Sequence, residues 1–330
     1  DMMATFDDID LVAVADTNPE QLKDAPEGVE TYANIDEMLA NADINVVMVS
    51  TPNPSHPEMV KKAAAAKKHV ICEKPAAMSV AEYDEMVAAC EENGVIFTVH
   101  QQRRWDKDYR IMKEVYDKSM VGDMYIIKSQ LYGVNGNMHD WHIYPEMGGG
   151  MLYDWGVHLI DQMLDMVKSK IVSLYADVQN VINENVDDYF KIIMKFENGV
   201  TAEIELGTYY LTPKRAWFIG GNKGSALIDG FAGEGKIVRT AHLLENVPGK
   251  ITMTAAGPTR SFGPPEPGLL SEEPLPEVNV DHRNYFEHFL KAFNGEEDII
   301  IKPEQVRRVL CVMDAVRESA KTGKAIAFEE

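Results

Sequence analysis

The sequence predicts an α/β protein, in which a doubly wound parallel sheet is followed by an α+β domain with an open, mostly antiparallel sheet. Over the first hundred residues, short apolar segments alternate with helical patterns, as in a parallel sheet that helices cover on both faces. After Trp105 the hydrophobic period changes, and residues 171–228 hold several strand-like segments in succession. A chain of 330 residues is long enough for two domains, each with its own core.

The central element of the first part is the stretch His69–Pro75, which reads HVICEKP. Its apolar residues lie between two helical patterns and therefore predict a buried strand of a parallel sheet. Open α/β sheets bind ligands at the carboxyl ends of their strands. Glu73 and Lys74 thus place a carboxylate and an ammonium at the predicted crevice. The alternative interpretation is a solvated charge pair that closes the strand.

The remaining elements of the first part follow from similar patterns. Strands are predicted over Asp10–Asp16, Asn45–Ser50 and Val95–Val99. A helix capped by Thr17 or Asn18 is predicted after the first of these strands. Further helices are predicted over Ile35–Ala42, His56–Lys67 and Ser79–Asn93, and Gly94 ends the last one.

The second part begins with a helix over Lys107–Ser119 and a strand over Met124–Tyr132. After a loop at 133–150, a helix is predicted over Tyr153–Val167. Four β-like segments follow, at Ile171–Ile182, Asp188–Phe196, Thr201–Tyr209 and Ala216–Ile228, with a hairpin turn at Asn198-Gly199. The proline-rich residues 257–276 predict a long loop or flap, and amphipathic helices are predicted over Asp281–Phe293 and Pro303–Thr322.

These patterns divide the chain into a domain with a parallel sheet at residues 1–104 and an α+β domain at residues 105–330. The C-terminal helices within residues 281–322 are candidates for packing back on the first domain. No internal repeat is evident in the sequence.

The predicted first domain has an unusual start. A Rossmann-like dinucleotide-binding sheet carries G-x-G-x-x-G after its central first strand, and an acidic residue about 20 residues later takes the ribose hydroxyls. Asp16, at the end of the predicted strand Asp10–Asp16, fits the acidic position. No earlier strand and no glycine fingerprint precede that strand. The glycine-rich segment Gly220–Gly224 is better interpreted as a β-turn. The first strand is thus apparently missing, and we expect a segment of a longer chain. A variant that has lost ordinary cofactor binding is the alternative.

Composition argues against several classes of protein. The formal charge of −21 and the pI near 4.8 disfavour partners such as nucleic acid and anionic membrane surfaces. The three cysteines show no C-x-x-C spacing, so neither a zinc site nor a disulfide framework is indicated, and a cytoplasmic location is expected. No apolar run approaches the roughly 18 residues of a membrane span.

A second group of chemically active residues lies in Gly148–Asp161, GGGMLYDWGVHLID. Asp154 and His158 are four residues apart, which places them on one face of a predicted helix. A carboxylate beside an imidazole can fix its tautomer and raise its basicity, as a general base requires. The competing interpretation is an ordinary helical Asp–His pair on the surface.

The loop before the three glycines contains His139, Trp141, His142 and Glu146. Their spacing matches no strong metal signature, so no metal is predicted. We expect the loop to line a substrate pocket, where Trp141 stacks on a sugar face and His142 hydrogen-bonds to hydroxyls. Arg104 is a further candidate for substrate binding, and the alternative for this residue is a role in joining the two domains.

Taken together, these motifs resemble the Gfo/Idh/MocA family of oxidoreductases. The features that match, in chain order, are Asp16 after LVAVA, Thr51-Pro52-Asn53 with His56, Glu73-Lys74-Pro75, Gln102-Arg103-Arg104-Trp105, and Gly148–Gly150 with Asp154-x-x-x-His158. The resemblance implies a Rossmann domain followed by an α/β domain whose open sheet pairs subunits into homodimers or homotetramers. It also implies reversible hydride transfer between NAD(P) and a hydroxyl carbon of a sugar, polyol or glycoside.

The resemblance further implies roles for single residues. Lys74 would contact the reacting hydroxyl, Asp154 would orient His158, and His158 would take the hydroxyl proton. Asp16 would bind the adenosine ribose, which favours NAD over NADP because a 2′-phosphate would meet a like charge. The positions implied to line the cofactor are Asp16, Thr51, Asn53, His56, Glu73, Lys74 and Gln102. Those expected to bind substrate are Arg104, Trp141, His142 and Tyr153.

Three functions remain open from the sequence. The first is an NAD-dependent dehydrogenase that acts on a carbohydrate-like alcohol. The second is a glycosidase that uses bound NAD for a transient oxidation and shows no net redox change. The third is a non-catalytic sugar-binding relative, against which the presence of Lys74, Asp154 and His158 argues.

Overall fold

The computed structural model describes residues 5–133, 138, 140–243, 250–261 and 266–328. In the first part, β1 (Ala13–Ala15) pairs in parallel with β2 (Glu30–Tyr32). A separate parallel sheet has the order β3 (Val46–Val49), β4 (His69–Cys72) and β5 (Phe97–Val99). Among the described residues, no strand joins these two sheets. The absence of a first strand stays a prediction.

Three helices pack with these strands: α1 (Ile35–Asn41), α2 (His56–Ala65) and α3 (Val80–Asn93). Their ends follow from local chemistry. The Asn34 side chain accepts a hydrogen bond from the third backbone N–H of α1, and Ser79 does the same for α3. Gly94 ends α3 in the left-handed conformation with φ +66°, as predicted.

The segment after β1 differs from its prediction. In place of a helix, the chain forms a short 3₁₀ turn at Gln21–Asp24. Pro26 disfavours the helical conformation at the residue before it, so the helix cannot continue. The short strand β2 that follows is partly exposed and was not predicted.

The second part is built on a nine-stranded sheet with the order β15-β12-β11-β10-β6-β9-β8-β7-β16. All neighbouring strands are antiparallel except β6 and β9, which are parallel. The fold class predicted from the sequence is therefore confirmed. The strands are β6 (Met124–Tyr132), β7 (Ile171–Gln179), β8 (Tyr189–Phe196), β9 (Thr201–Gly207), β10 (Trp217–Gly221), β11 (Gly224–Ile228), β12 (Gly235–Thr240), β15 (Leu270–Glu273) and β16 (Ile326–Ala327).

The segment predicted as a single strand over Ala216–Ile228 is a two-stranded hairpin. Gly221 pairs with Gly224 across the two residues of the turn, in agreement with the predicted β-turn at Gly220–Gly224. The loop prediction over 257–276 is wrong in part. β14 (Gly257–Ser261) forms a separate hairpin with β13 (Lys250–Thr254), and β15 joins the main sheet. Proline is tolerated in this hairpin because both strands are edge strands, where a missing backbone N–H need not break a hydrogen bond.

Four helices complete the second part: α4 (Lys107–Asp117), α5 (Val157–Met166), α6 (Arg283–Phe293) and α7 (Pro303–Thr322). The side chains of α5 are almost all buried. Helix α7 contacts β7 and α5, and it also contacts α3 and β5 of the first part. The carboxyl ends of β4 and β5 are thus held next to the start of α5.

Candidate active site

Lys74 lies directly after β4, at the cis peptide bond that joins it to Pro75. Its Nζ donates to the Asp154 carboxylate at 2.7 Å and to the Asp154 backbone oxygen at 2.8 Å. The two side chains are 18% and 23% exposed, so the pair is accessible to a small molecule. The ammonium of the first part therefore meets a carboxylate of the second.

His158 lies one turn further along, in α5, and is almost completely buried at 3% exposure. Burial and the Lys74 ammonium hold the pKa of His158 well below its usual range. The imidazole is therefore neutral near pH 7 and can accept a proton. Lys74 contacts Asp154, four residues before His158, and its positive charge is one of the causes that lower the pKa of His158.

The predicted Asp154–His158 hydrogen bond is replaced by two other contacts. The Asp154 carboxylate binds Lys74, whereas His158 Nδ1 lies 3.0 Å from Oε1 of Gln101. Asp154 lies in a π-helical turn over Leu152–Gly156 and binds the Lys74 ammonium instead, because a charge-assisted hydrogen bond is stronger than one to a neutral imidazole. Gln101 was missed in the sequence, and its position directly before the predicted Gln102 was the only available signal.

Glu73 is held beside Lys74 by two contacts. One carboxylate oxygen lies 2.7 Å from His100 Nδ1, and the other accepts the backbone N–H of Lys74 at 3.2 Å. Burial raises the pKa of Glu73, but the hydrogen bond and charge of His100, together with the N–H and ammonium of Lys74, outweigh burial and hold the pKa below its usual range. Glu73 is therefore an ionised group fixed at the end of β4.

Two residues predicted to line the cofactor hold loops instead. His56 is fully buried, with Nε2 2.7 Å from the Thr51 oxygen and Nδ1 3.1 Å from the Pro75 oxygen. Asn53 is 2% exposed and donates from Nδ2 to the Gly148 oxygen at 3.3 Å. Since His56 joins the loops after β3 and β4, and Asn53 reaches the glycine loop, their role is to position the loops around Lys74.

Arg104 does not face the site, which corrects the substrate-binding prediction. Its guanidinium forms a two-point ion pair with the Asp161 carboxylate at 2.6 and 2.7 Å, and both side chains are at most 5% exposed. A third nitrogen donates to Gln305 Oε1 in α7. Arg104 therefore joins β5, α5 and α7. This is the structural role that the sequence left open as the alternative to substrate binding.

Tyr153 also departs from its prediction. Its hydroxyl donates to the Met78 backbone oxygen at 3.3 Å and accepts from Arg317 at 2.5 Å. Both hydrogen-bonding functions are thus used within the protein, because Tyr153 lies between α7 and the loop before α3. We assign Tyr153 a structural role.

The loop before α5 is folded back on the three glycines. The N–H groups of Gly149 and Gly150 donate to the oxygens of Tyr144 and His142 at 3.0 and 3.1 Å. The rings of Trp141 and His142 are stacked with centroids 3.8 Å apart. Both side chains are partly exposed and remain candidates for substrate contact. His139 lies outside the described residues.

The remaining predicted cofactor positions lie at strand ends. Asp16 follows β1 and is exposed, and its carboxylate accepts the Asn18 N–H at 2.7 Å. Thr51 follows β3 and is exposed. Gln102 follows β5, and its buried Oε1 has no hydrogen-bond partner in the described part of the chain. Thr51, Glu73 and Gln102 therefore lie beyond the carboxyl ends of three neighbouring parallel strands, where α/β sheets bind ligands.

Comparison with known proteins gives the family. The model of the Gfo/Idh/MocA oxidoreductase family with an NAD-binding Rossmann fold matches residues 1–101, and that of the family's C-terminal domain matches residues 109–227. A solved NAD-binding protein of Listeria innocua is 32% identical with a TM-score of 0.85, over 92% of this chain and 87% of that one. The chain belongs to the Gfo/Idh/MocA family.

Membership of the Gfo/Idh/MocA family makes the chain an oxidoreductase-type protein with a nicotinamide cofactor. Two curated relatives indicate the range of reactions. The scyllo-inositol 2-dehydrogenase (NADP(+)) of Bacillus subtilis is 24% identical over 99% of this chain and 91% of its own length. The 2,7-anhydro-N-acetylneuraminate hydratase of Escherichia coli is 29% identical over 60% of this chain and 55% of its own length.

Two further findings concern the described residues only. No helix in the described ranges is long and apolar enough to cross a membrane. No cluster of three or more His, Cys, Asp and Glu side chains there is arranged to hold a metal ion.

Proposed function

We propose that the protein is an NAD-dependent dehydrogenase that oxidises a hydroxyl carbon of a sugar, polyol or glycoside, or reduces the corresponding carbonyl. The observation that carries the proposal is the contact of Lys74 with Asp154 beside a buried, neutral His158. An alcohol is a very weak acid, so a dehydrogenase needs a neutral base and a positive charge near the developing alkoxide.

In this proposal His158 takes the hydroxyl proton, because burial and Lys74 keep the imidazole unprotonated. The Lys74 ammonium stabilises the alkoxide as it forms. Asp154 holds the ammonium in place through its carboxylate and its backbone oxygen. A nicotinamide cofactor held at the strand ends by Thr51, Glu73 and Gln102 would supply the hydride acceptor for this oxidation.

The strand ends fit a dinucleotide. Thr51, Glu73 and Gln102 offer polar groups beyond β3, β4 and β5, and the buried Gln102 amide oxygen has no partner among the described residues. Such an oxygen needs a ligand donor to offset its burial. Asp16 would take the ribose hydroxyls of the adenosine, and its carboxylate would repel the 2′-phosphate of NADP. The proposed cofactor is therefore NAD.

The test is NADH formation with a panel of sugars, inositols and glycosides, repeated with Lys74→Met and His158→Asn. We expect turnover to fall by about 10²- to 10⁴-fold in each variant, the range for loss of a positioned proton-transfer group. NADH binding, followed by fluorescence, should persist in His158→Asn. Lys61→Met removes an exposed lysine that pairs with Glu85, and it should keep the wild-type rate. Absence of NADH formation with every alcohol would contradict the proposal.

A second candidate is a reaction without net redox change, in which bound NAD oxidises the substrate only transiently. The relatedness to a protein named as a hydratase favours it, because addition of water consumes no oxidant. Release of an aglycone, or hydration of a sugar, without accumulation of NADH would support this candidate over the dehydrogenase. Failure of the protein to bind NADH would instead support a non-catalytic sugar-binding role.

Trp141 and His142 are the proposed substrate contacts. The stacked indole offers an apolar face for a sugar ring, and the loop lies next to the start of α5. Trp141→Ala should raise the KM for the substrate and leave the affinity for NADH unchanged. An unaltered substrate KM would remove this residue from the site.

A further inference from the structure

Gln101 has an unusual position for a glutamine. It follows β5 and is 1% exposed, and its backbone is fixed at both ends. Its N–H donates to the Val99 oxygen at 2.8 Å, and its carbonyl accepts the Arg104 N–H at 3.1 Å. The side chain therefore extends from a rigid origin, and its Oε1 lies 3.0 Å from Nδ1 of His158.

The chemistry of this contact determines the state of the imidazole. An amide oxygen only accepts hydrogen bonds, so His158 Nδ1 must carry the proton. In a neutral imidazole the other nitrogen, Nε2, is then unprotonated and has a free lone pair. Nε2 is the nitrogen that can take a proton from a substrate hydroxyl.

The other end of the same amide points to a ligand. Nε2 of Gln101 is buried, and no acceptor among the described residues reaches it. A buried amide nitrogen without a partner is destabilising, and an apolar side chain of the same size would avoid that penalty. The amide nitrogen of Gln101 therefore contributes little to the stability of the fold, but it can donate a hydrogen bond to a ligand beside His158.

The charges around His158 explain why a neutral partner is suitable. Groups that lower the pKa of His158 by their positive charge come from four places in the chain: Lys74, His100, Arg103 and His282. Carboxylates face all four of these groups: Asp154 contacts Lys74, Glu73 contacts His100, and Asp106 contacts both Arg103 and His282. The amide of Gln101 adds no charge, so the imidazole stays neutral while its orientation is fixed.

We propose that Gln101 is a positioning residue, whose amide oxygen fixes His158 as the Nδ1–H tautomer and so makes Nε2 the nitrogen that accepts the substrate proton. The claim that Nε2 accepts the substrate proton rests on the proposed function. The tautomer itself is a property of the protein without substrate.

The direct test is ¹⁵N NMR of the full chain labelled in its nine histidines, with His158→Gln used to assign the His158 signals. The expected spectrum shows a protonated Nδ1 and an unprotonated Nε2 between pH 7 and 8. The reverse pattern, with the proton on Nε2, overturns the proposal. NADH binding is measured on the same protein. If the expected tautomer is found but NADH does not bind, the proposed function is contradicted and the tautomer assignment is still supported.

Two substitutions test the consequence for catalysis. Gln101→Met keeps the length of the side chain and removes the acceptor, so we expect kcat to fall about 10- to 100-fold, as for loss of a group that orients a functional histidine. The KM for NAD should stay unchanged.

Gln101→Glu places a carboxylate at Nδ1–H, which stabilises the imidazolium. We expect the acidic limb of the kcat/KM profile to move to higher pH by about 1–3 units, with activity recovered at alkaline pH.

The control is Gln179→Glu, which makes the same chemical change at an exposed position at the end of β7, and whose pH profile should match that of the wild type. A purely structural role for Gln101 would lower the melting temperature in both variants without moving the acidic limb. An unmoved limb in a folded Gln101→Glu protein therefore overturns the proposal.

Discussion

Lys74 and Arg104 are cations held by carboxylates of the second part, but they serve different purposes. The Lys74–Asp154 pair keeps about a fifth of its side-chain surface exposed, whereas the Arg104–Asp161 pair is almost fully buried. A buried pair contributes little net stability, but its loss leaves an uncompensated charge. Both pairs join the two parts, but only the Lys74–Asp154 pair is exposed enough for a small molecule to reach it.

Asp161→Asn should destabilise the protein by about 3–5 kcal/mol, because the buried Arg104 guanidinium loses its two-point partner and keeps only the more distant Asp165 carboxylate at 3.8 Å. The measurement is urea unfolding followed by circular dichroism. Asp84→Asn removes an exposed partner of Arg307 and should cost at most about 1 kcal/mol. Equal effects of the two substitutions would contradict the buried role of Arg104.

Asp187 should make stability depend on pH. Its carboxylate accepts the Leu152 N–H at 2.7 Å next to the start of the π turn, and burial raises its pKa to about 6. The folded state therefore binds a proton more tightly than the unfolded state, for which the pKa is about 3.9. The resulting stabilisation is present below about pH 4 and is lost as the pH rises through 6.

Asp187→Asn should remove this dependence, so the free energy of unfolding of the variant should rise by about 2–3 kcal/mol relative to the wild type between pH 4 and pH 7.

Asp188 is the matched control. Burial raises its pKa, but the N–H groups of Val181, Ile182 and Asn183 outweigh burial and hold it below its usual range. Asp188→Asn should therefore lose stability relative to the wild type as the pH rises. Parallel pH profiles for the two variants would contradict this account.

At the scale of elements, the site depends on how the glycine loop and the π turn start helix α5. A side-chain carbon at Gly149 would lie 2.3 Å from the His142 backbone oxygen, and one at Gly148 would lie 2.6 Å from the Asn53 side chain. The glycines therefore let the substrate-side loop and the first part of the chain approach α5 closely. Asp154, within the π turn, binds Lys74, and His158, at the start of α5, contacts Gln101.

Gly149→Ala should displace the loop that carries Trp141 and His142, because the added carbon meets backbone atoms that cannot move alone. We expect a destabilisation of about 1–3 kcal/mol and a higher substrate KM. Gly230→Ala is the control, since its added carbon would meet nothing within 4 Å. The two variants should be compared by thermal unfolding and by KM. A Gly149→Ala protein with the stability and KM of Gly230→Ala would refute the close-packing argument.

At the scale of the whole molecule, the two parts are joined by α7, by the Arg104–Asp161 pair and by the Lys74–Asp154 pair. The sheet of the second part leaves apolar side chains exposed on its strands: Tyr125 at 59%, Val172 at 53% and Tyr175 at 41%. The domain boundary at residues 104 and 105 stays a prediction. So does pairing of subunits through this sheet.

Light scattering should give a mass of two or four times the 36.9 kDa of the chain, because pairing would cover the exposed residues of β7. The double substitution Val172→Glu with Tyr175→Glu should lower that mass to the monomer. Ile300→Glu, at an exposed apolar residue outside the sheet, should leave it unchanged. A monomeric wild type would contradict the proposed homo-oligomer.

The sequence by itself determined the elements with strong local signals. The alternation of apolar strands and capped helices predicted β3, β4 and β5 with α1, α2 and α3, and the period of two predicted β6, β8 and β9. The residue types after β4 and in the segment Gly148–Asp161 also indicated Lys74 and His158 as candidate catalytic residues. These features depend on neighbours within a few residues, so a local pattern records them.

Only the tertiary structure decided which side chains meet. Gln101, and not Asp154, contacts His158, because the Asp154 carboxylate binds the ammonium of Lys74, which lies 80 residues earlier in the chain. Arg104 is buried because Asp161 and Gln305, 57 and 201 residues away along the chain, converge on it. Contacts over such separations depend on how helices and sheets pack, and that packing is a property of the whole chain.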